Sequence, residues 1–95
     1  MSQEAEPEKE GHGAGVDFPS LLMMFFTTAL VHLGEIPDPI TEEAKQDLGQ
    51  AQKAIDILSL LETKTKDNLT KEEEGLLQNL LFELRMKYLQ AAKLL

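Results

Sequence analysis

The chain has no cysteine. Thiol catalysis, disulfides and cysteine-ligated zinc or iron–sulfur centres are thereby excluded. Two histidines, His12 and His32, are all that remain for imidazole chemistry. Basic charge is also scarce, with 9 Lys and Arg against 17 Asp and Glu and a formal net charge of −8. A nucleic-acid binder needs a basic footprint to displace counterions, so nucleic acid is not an expected partner. No glycine-rich loop is present to cradle phosphate, and no serine sits in a nucleophile elbow. No stretch alternates apolar and polar residues, so no strand is expected. No apolar run reaches the roughly 20 residues that span a bilayer.

What is there fits one small domain: 95 residues, 42% apolar and 27% charged, a composition close to the globular average. Charge is spread unevenly. Residues 1–17 hold Glu4, Glu6, Glu8, Glu10 and Asp17 against Lys9, residues 18–34 hold no formal charge, and the remainder is again acidic. The opening segment, residues 1–16, has too little apolar surface to offset its ordering entropy and reads as a disordered acidic tail. Secretory signals begin basic and transit peptides are arginine-rich; this segment is neither, and the cytoplasm is the expected location. His12, between glycines in that tail, is expected to be a solvated residue.

Residues 17–95 read as a single all-α domain of three helices, at about 18–33, 42–66 and 71–93. Asp17 is positioned as the N-cap of the first, Pro19 suits its first turn, and Gly34 its C-terminal stop. Pro37 and Pro39 then make a stiff corner. Thr41 is placed to open the second helix, with Glu42 and Glu43 favourable to the dipole. Its apolar stripe runs through Ala44, Leu48, Ala51, Ile55 and Leu58, widened by Ala54, Ile57 and Leu61. Gly49 falls inside it, as a close helix contact or a tolerated weak point. Thr70 and Glu73 form a T-x-x-E capping box for the third helix, whose face is Leu76, Leu77, Leu80, Leu81, Leu84, Tyr88, Leu89 and Ala92. Near-equal lengths and a short turn predict an antiparallel hairpin of the second and third helices.

The first helix stands apart. Leu21, Leu22, Phe25, Phe26, Ala29, Leu30 and Leu33 fill a broad arc that Met23 extends, leaving a weakly polar stripe of Ser20, Thr27, Thr28 and His32 with Met24 and Val31 in it. A helix apolar nearly all round is buried nearly all round, or sits in lipid. The span is short, contains Ser, Thr and His, and is flanked by acid on both sides, so a membrane is not an expected partner. Three helices are few to wrap such an element, and a homodimer with the first helix at its centre would complete the cover. Met23, Met24, Phe25, Phe26 and Leu30 are the candidate oligomer or apolar-ligand surface.

Chemistry is harder to find. His32 lies three residues before Glu35 at a helix end, where such a pair could tune a base. Glu35, Asp38, Glu42 and Glu43 cluster at the proline corner without calcium-loop spacing. Arg85, Lys87 and Tyr88 form a small basic-aromatic group, read as a salt-bridged helix surface, with Glu83 and Lys87 as an i,i+4 pair. No catalytic residue, cofactor site or metal site is assigned.

The strings TTALVHLGEIPDP at 27–39, AIDILSLLETKTKDNLTKEE at 54–73 and LLFELRMKYL at 80–89 resemble the family of small bacterial proteins catalogued as domain of unknown function 1844. The likeness runs from about Phe18 to about Ala91 and leaves out the acidic tail. It implies a bacterial, cytoplasmic, helical protein with no assigned activity and no catalytic residues to carry over. The family's hallmarks stand here as His32, Gly34, Glu35, Pro37, Asp38 and Pro39, then Lys64, Thr65, Asn68, Leu69 and Thr70, then Arg85 and Tyr88. Folding explains most of these as stops and caps. It explains His32, Glu35 and Arg85 less fully, and these, with Asp38, are the candidate interaction site.

The leading expectation is a non-enzymatic interaction or structural module, a small acidic homo-oligomer that presents a surface to another protein. Two alternatives belong to other classes. One is binding of an apolar ligand or membrane surface through the first helix; the other is an enzyme using His32 with Glu35 or Asp38.

Overall fold

A computed structural model describes residues 15–94. Three helices form in order, α1 Phe18–Leu33, α2 Leu48–Lys64 and α3 Lys71–Ala91. No strand occurs among the described residues. The expected tail lies outside the described residues up to position 14, His12 with it, while Val16 stands 85% exposed.

Local chemistry accounts for each helix end. Asp17 is extended and its carboxylate accepts the Ser20 N–H at 2.9 Å, with Pro19 in the first turn, so the orphan donors of the helix start are partly met. Gly34 closes α1 at φ 81°, and the Gly34 and Glu35 N–H groups donate to the Val31 and Leu30 carbonyls at 3.0 and 2.9 Å. This is the double-bonded left-handed stop that glycine adopts without strain. The capping box forms as its spacing predicts: Thr70 Oγ1 accepts the Glu73 N–H at 3.1 Å, and Glu73 Oε1 accepts the Thr70 N–H at 2.9 Å.

The second helix differs from expectation at its start. It opens at Leu48, with Asp47 as N-cap accepting the Gln50 N–H at 3.1 Å, and not near Thr41. Asp38 is the reason. Its carboxylate accepts the N–H groups of Ile40 and Thr41 at 2.7 and 3.3 Å, and its carbonyl accepts that of Glu42 at 2.7 Å. These bonds compete with helix nucleation, and they leave Glu42 left-handed at φ 62°, a conformation no helix continues. Glu42, Glu43 and Ala44 are consequently exposed connection residues. Gly49 falls in the first turn of α2, and a Cβ there would meet only the Asp47 carboxylate, at 3.6 Å; no partner helix approaches it. At their other ends α2 and α3 stop two residues earlier than expected, within ordinary fraying.

The return of the chain is tied down. The Asp47 N–H donates to the His32 carbonyl at 2.7 Å, and Gln46 Nε2 donates to the Leu33 carbonyl at 3.3 Å. Both acceptors belong to the last turn of α1, which has no partners of its own. These two bonds anchor the segment before α2 to the end of α1.

All three helices pack on one another, α1 most extensively on α2. The core is Leu22, Ala29 and Leu33 of α1, Ala51, Ala54, Ile55 and Leu58 of α2, and Leu77, Leu80, Leu81 and Leu84 of α3. Each buried leucine contributes about 1.5–3 kcal/mol. No polar or charged residue is buried among those described. Ile57, read as part of the apolar stripe, stands 38% exposed.

Candidate functional site

The candidate residues fall into three separate places. The first is the corner after α1. His32 is half-buried, and no hydrogen bond joins its ring to Glu35 or Asp38 among the described residues. Glu35 instead accepts from Lys87 Nζ at 3.2 Å, an ion pair between the end of α1 and α3. The Asp38 carboxylate is committed to its turn. His32, Glu35 and Asp38 are neighbours in the chain, yet they converge on no common point. No cluster of three or more potential metal ligands occurs among the described residues.

The second place is the outer face of α1. Ser20, Met23, Met24, Thr27 and Thr28 lie side by side along a shallow hollow that Asp17 and Pro19 complete at one end. Met24 is 63% exposed and Met23 42%. Phe25, Phe26 and Leu30 turn the other way and pack half-buried against the core. The surface of Met23, Met24, Phe25, Phe26 and Leu30 read from the sequence is thus split by the helix into an open pair and a largely sealed trio. Only Leu22, Ala29 and Leu33 of α1 are buried, so three helices in one chain do not bury α1 nearly all round. Thr28 Oγ1 donates to the Met24 carbonyl at 2.9 Å, which turns the hydroxyl into its own helix and the methyl outward. No helix among the described residues is long and apolar enough to cross a membrane.

The third place was not anticipated. Gln52, Ile55, Asp56 and Ser59 of α2 face Arg85, Tyr88 and Leu89 of α3 across a cleft of about 370 Å³. A second depression sits at the α2–α3 turn, where Thr65, Lys66, Asp67 and Leu69 line it together with Glu62 and Thr63 of α2 and Glu74, Leu77 and Gln78 of α3. Arg85, the one arginine of the chain, donates through Nη2 to Ser59 Oγ at 3.3 Å. No carboxylate pairs with it among the described residues. The salt-bridged surface expected of this cluster holds for Lys87, which reaches Glu35 at 3.2 Å and Glu83 at 3.9 Å, but not for Arg85. Phe82, one turn before Arg85, stands 67% exposed. Its spacing was the available signal: position 82 is out of phase with the stripe 77, 80, 81, 84.

The groups present are an aliphatic face, a guanidinium beside an apolar floor, and a closed corner. None pairs a nucleophile with a base.

A search of curated proteins and a search of solved structures returned no match. A family model does match, over residues 15–90, which takes in α1, α2 and all of α3 but its last residue. The chain belongs to the family described as domain of unknown function, DUF1844.

Proposed function

We propose that this chain is a non-enzymatic interaction module whose α1 meets the α1 of a second copy across a two-fold axis. In this reading α2 and α3 form an antiparallel hairpin that backs α1 and leaves its outer face for the partner. The observation that carries it is the combination of exposed Met23 and Met24 with the absence of formal charge from residues 18–34 of a chain at −8. Two copies that met through a charged face would bring several acidic groups together; of the residues lining this hollow only Asp17, at one end, is acidic. Self-complementarity on a two-fold axis requires no second kind of surface. Ser20, Thr27 and Thr28 are small enough for close helix contact, and the Thr28 hydroxyl is already bonded within its own helix, which lowers the cost of taking it out of water.

The absence of native cysteine gives a clean test. Single cysteines are placed in turn at Ser20, Met24, Thr27 and Thr28, with Asn79→Cys on exposed α3 as reference, and each protein is mildly oxidised. A two-fold α1 pair brings at least one α1 position within the roughly 4.4–6.8 Å Cα separation that a disulfide needs. The expected result is rapid dimer cross-linking at that position and slow, collision-limited cross-linking at Asn79→Cys. Equal rates at all positions would refute the α1 pairing.

A further inference from the structure

We propose that the seam between α2 and α3 receives a helical segment of a partner protein, one that carries a carboxylate among apolar side chains. This surface shares no residue with the outer face of α1, so the proposal stands apart from self-association.

Three observations specify the occupant. The first is charge. Arg85 is the only guanidinium of a chain with net charge −8, yet it has no carboxylate partner among the described residues. Asp56 lies in the same cleft, and its carboxylate accepts from Gln52 Nε2 at 2.8 Å instead. Arg85 is held toward the cleft by one neutral bond to Ser59, which leaves most of its five donors for a planar, bidentate carboxylate.

The second is the apolar content beside it. Ile55, Tyr88 and Leu89 line the cleft; Phe82, outside that lining and one turn before Arg85 on α3, stands 67% exposed. Aromatic and arginine side chains around a desolvated floor are the usual anchors of protein recognition.

The third is length. Gln78, Phe82, Arg85 and Leu89 recur at four, three and four residues along one face of α3, a stripe of about 16 Å. Opposite them Gln52, Asp56, Ser59 and Thr63 recur at the same intervals on α2. One cleft lies along this seam, and a second depression sits at its turn end. A groove of this length between two helices suits the ridge of a third helix, with anchors at helical spacing. The α1 of a second copy is excluded as occupant by its chemistry, since residues 18–34 contain no carboxylate.

The test replaces Phe82 with the photo-reactive aromatic p-benzoylphenylalanine in the full chain, expressed in its native cells, and maps the cross-linked peptides by mass spectrometry. The expected product joins position 82 to a segment of a different protein with Asp or Glu flanked by apolar residues at helical spacing. Arg85→Gln lowers the yield roughly tenfold or more, the range of a lost charge-assisted hydrogen bond. Arg85→Lys keeps the charge and recovers part of the yield. Both variants retain the helical circular dichroism and the solution mass of the parent, which separates a lost partner from a lost fold and from lost self-association. Cross-links confined to this chain's own peptides, no cross-link at all, or a yield indifferent to Arg85→Gln would each overturn the proposal.

Discussion

Helices α1 and α3 reach the same core by opposite routes. α3 is the more polar, yet Leu77, Leu80, Leu81 and Leu84 are all buried and its charges face outward. α1 has no charged residue, yet only Leu22, Ala29 and Leu33 are buried, and Met24 stands 63% exposed. Apolar content alone therefore does not predict burial; what decides it is how much of a helix's circumference its neighbours can cover. In α3 the covered arc and the apolar arc coincide. In α1 the apolar arc is wider than α2 and α3 can cover, and the surplus is aimed at solvent. Where apolar surface exceeds what one chain can bury, the excess is evidence about partners.

The contrast can be broken from either side. The largest effect is expected inside α3, where Leu84→Ala removes a side chain with 0% exposure. Chemical denaturation should show a loss of about 2–5 kcal/mol, the range for a buried leucine that leaves a cavity. A loss below about 1 kcal/mol would mean that the α3 face is less tightly packed than described.

A smaller loss is expected where α1 stops. Gly34 sits at φ 81° with Gln46 3.7 Å from the position a Cβ would take. Space is adequate and backbone strain is the cost, so Gly34→Ala should destabilise by about 1–2 kcal/mol in the same assay. Gly75 gives the opposite sign. It lies within helical α3 with nothing within 4 Å of an added Cβ, and Gly75→Ala should raise stability by about 0.5–1 kcal/mol. The pair separates a glycine required by conformation from one that is merely tolerated. Smallest of all is Met24→Ser, measured by thermal melting at the lowest practical protein concentration. There the α1 face has no copy to meet, and the change should stay within about 0.5 kcal/mol, as for other surface positions. At high concentration the same substitution should lower the melting temperature, because a partner that binds only the folded chain stabilises it by mass action.

Much of the fold was legible. Local signals with one physical meaning were read correctly, as Asp17, Gly34 and the Thr70–Glu73 box show. The start of α2 was not, because Thr41 followed by two glutamates satisfies the same rules as a true helix start. The turn built by the Asp38 carboxylate outcompetes it, and Asp47 then supplies the cap. Periodicity identified the buried faces of α2 and α3 but said little of α1, whose apolar residues have no single phase. The corner residues His32, Glu35 and Asp38 were conspicuous as a string, yet in space they serve an ion pair and a turn more than a shared site. Arg85 is conspicuous in the sequence as the one arginine, but its cleft depends on which residues of α2 stand opposite, and no pattern within α3 carries that information.

The most direct test of α1 as the meeting face is the mass in solution, measured by light scattering after size exclusion over a wide concentration range. Parent and Met24→Glu proteins are run side by side. The expected result is a parent mass near twice the 10.6 kDa of the chain, with Met24→Glu at the single-chain mass and an unchanged helical spectrum. A parent that stays at 10.6 kDa at every concentration, or a dimer indifferent to Met24→Glu, would contradict it.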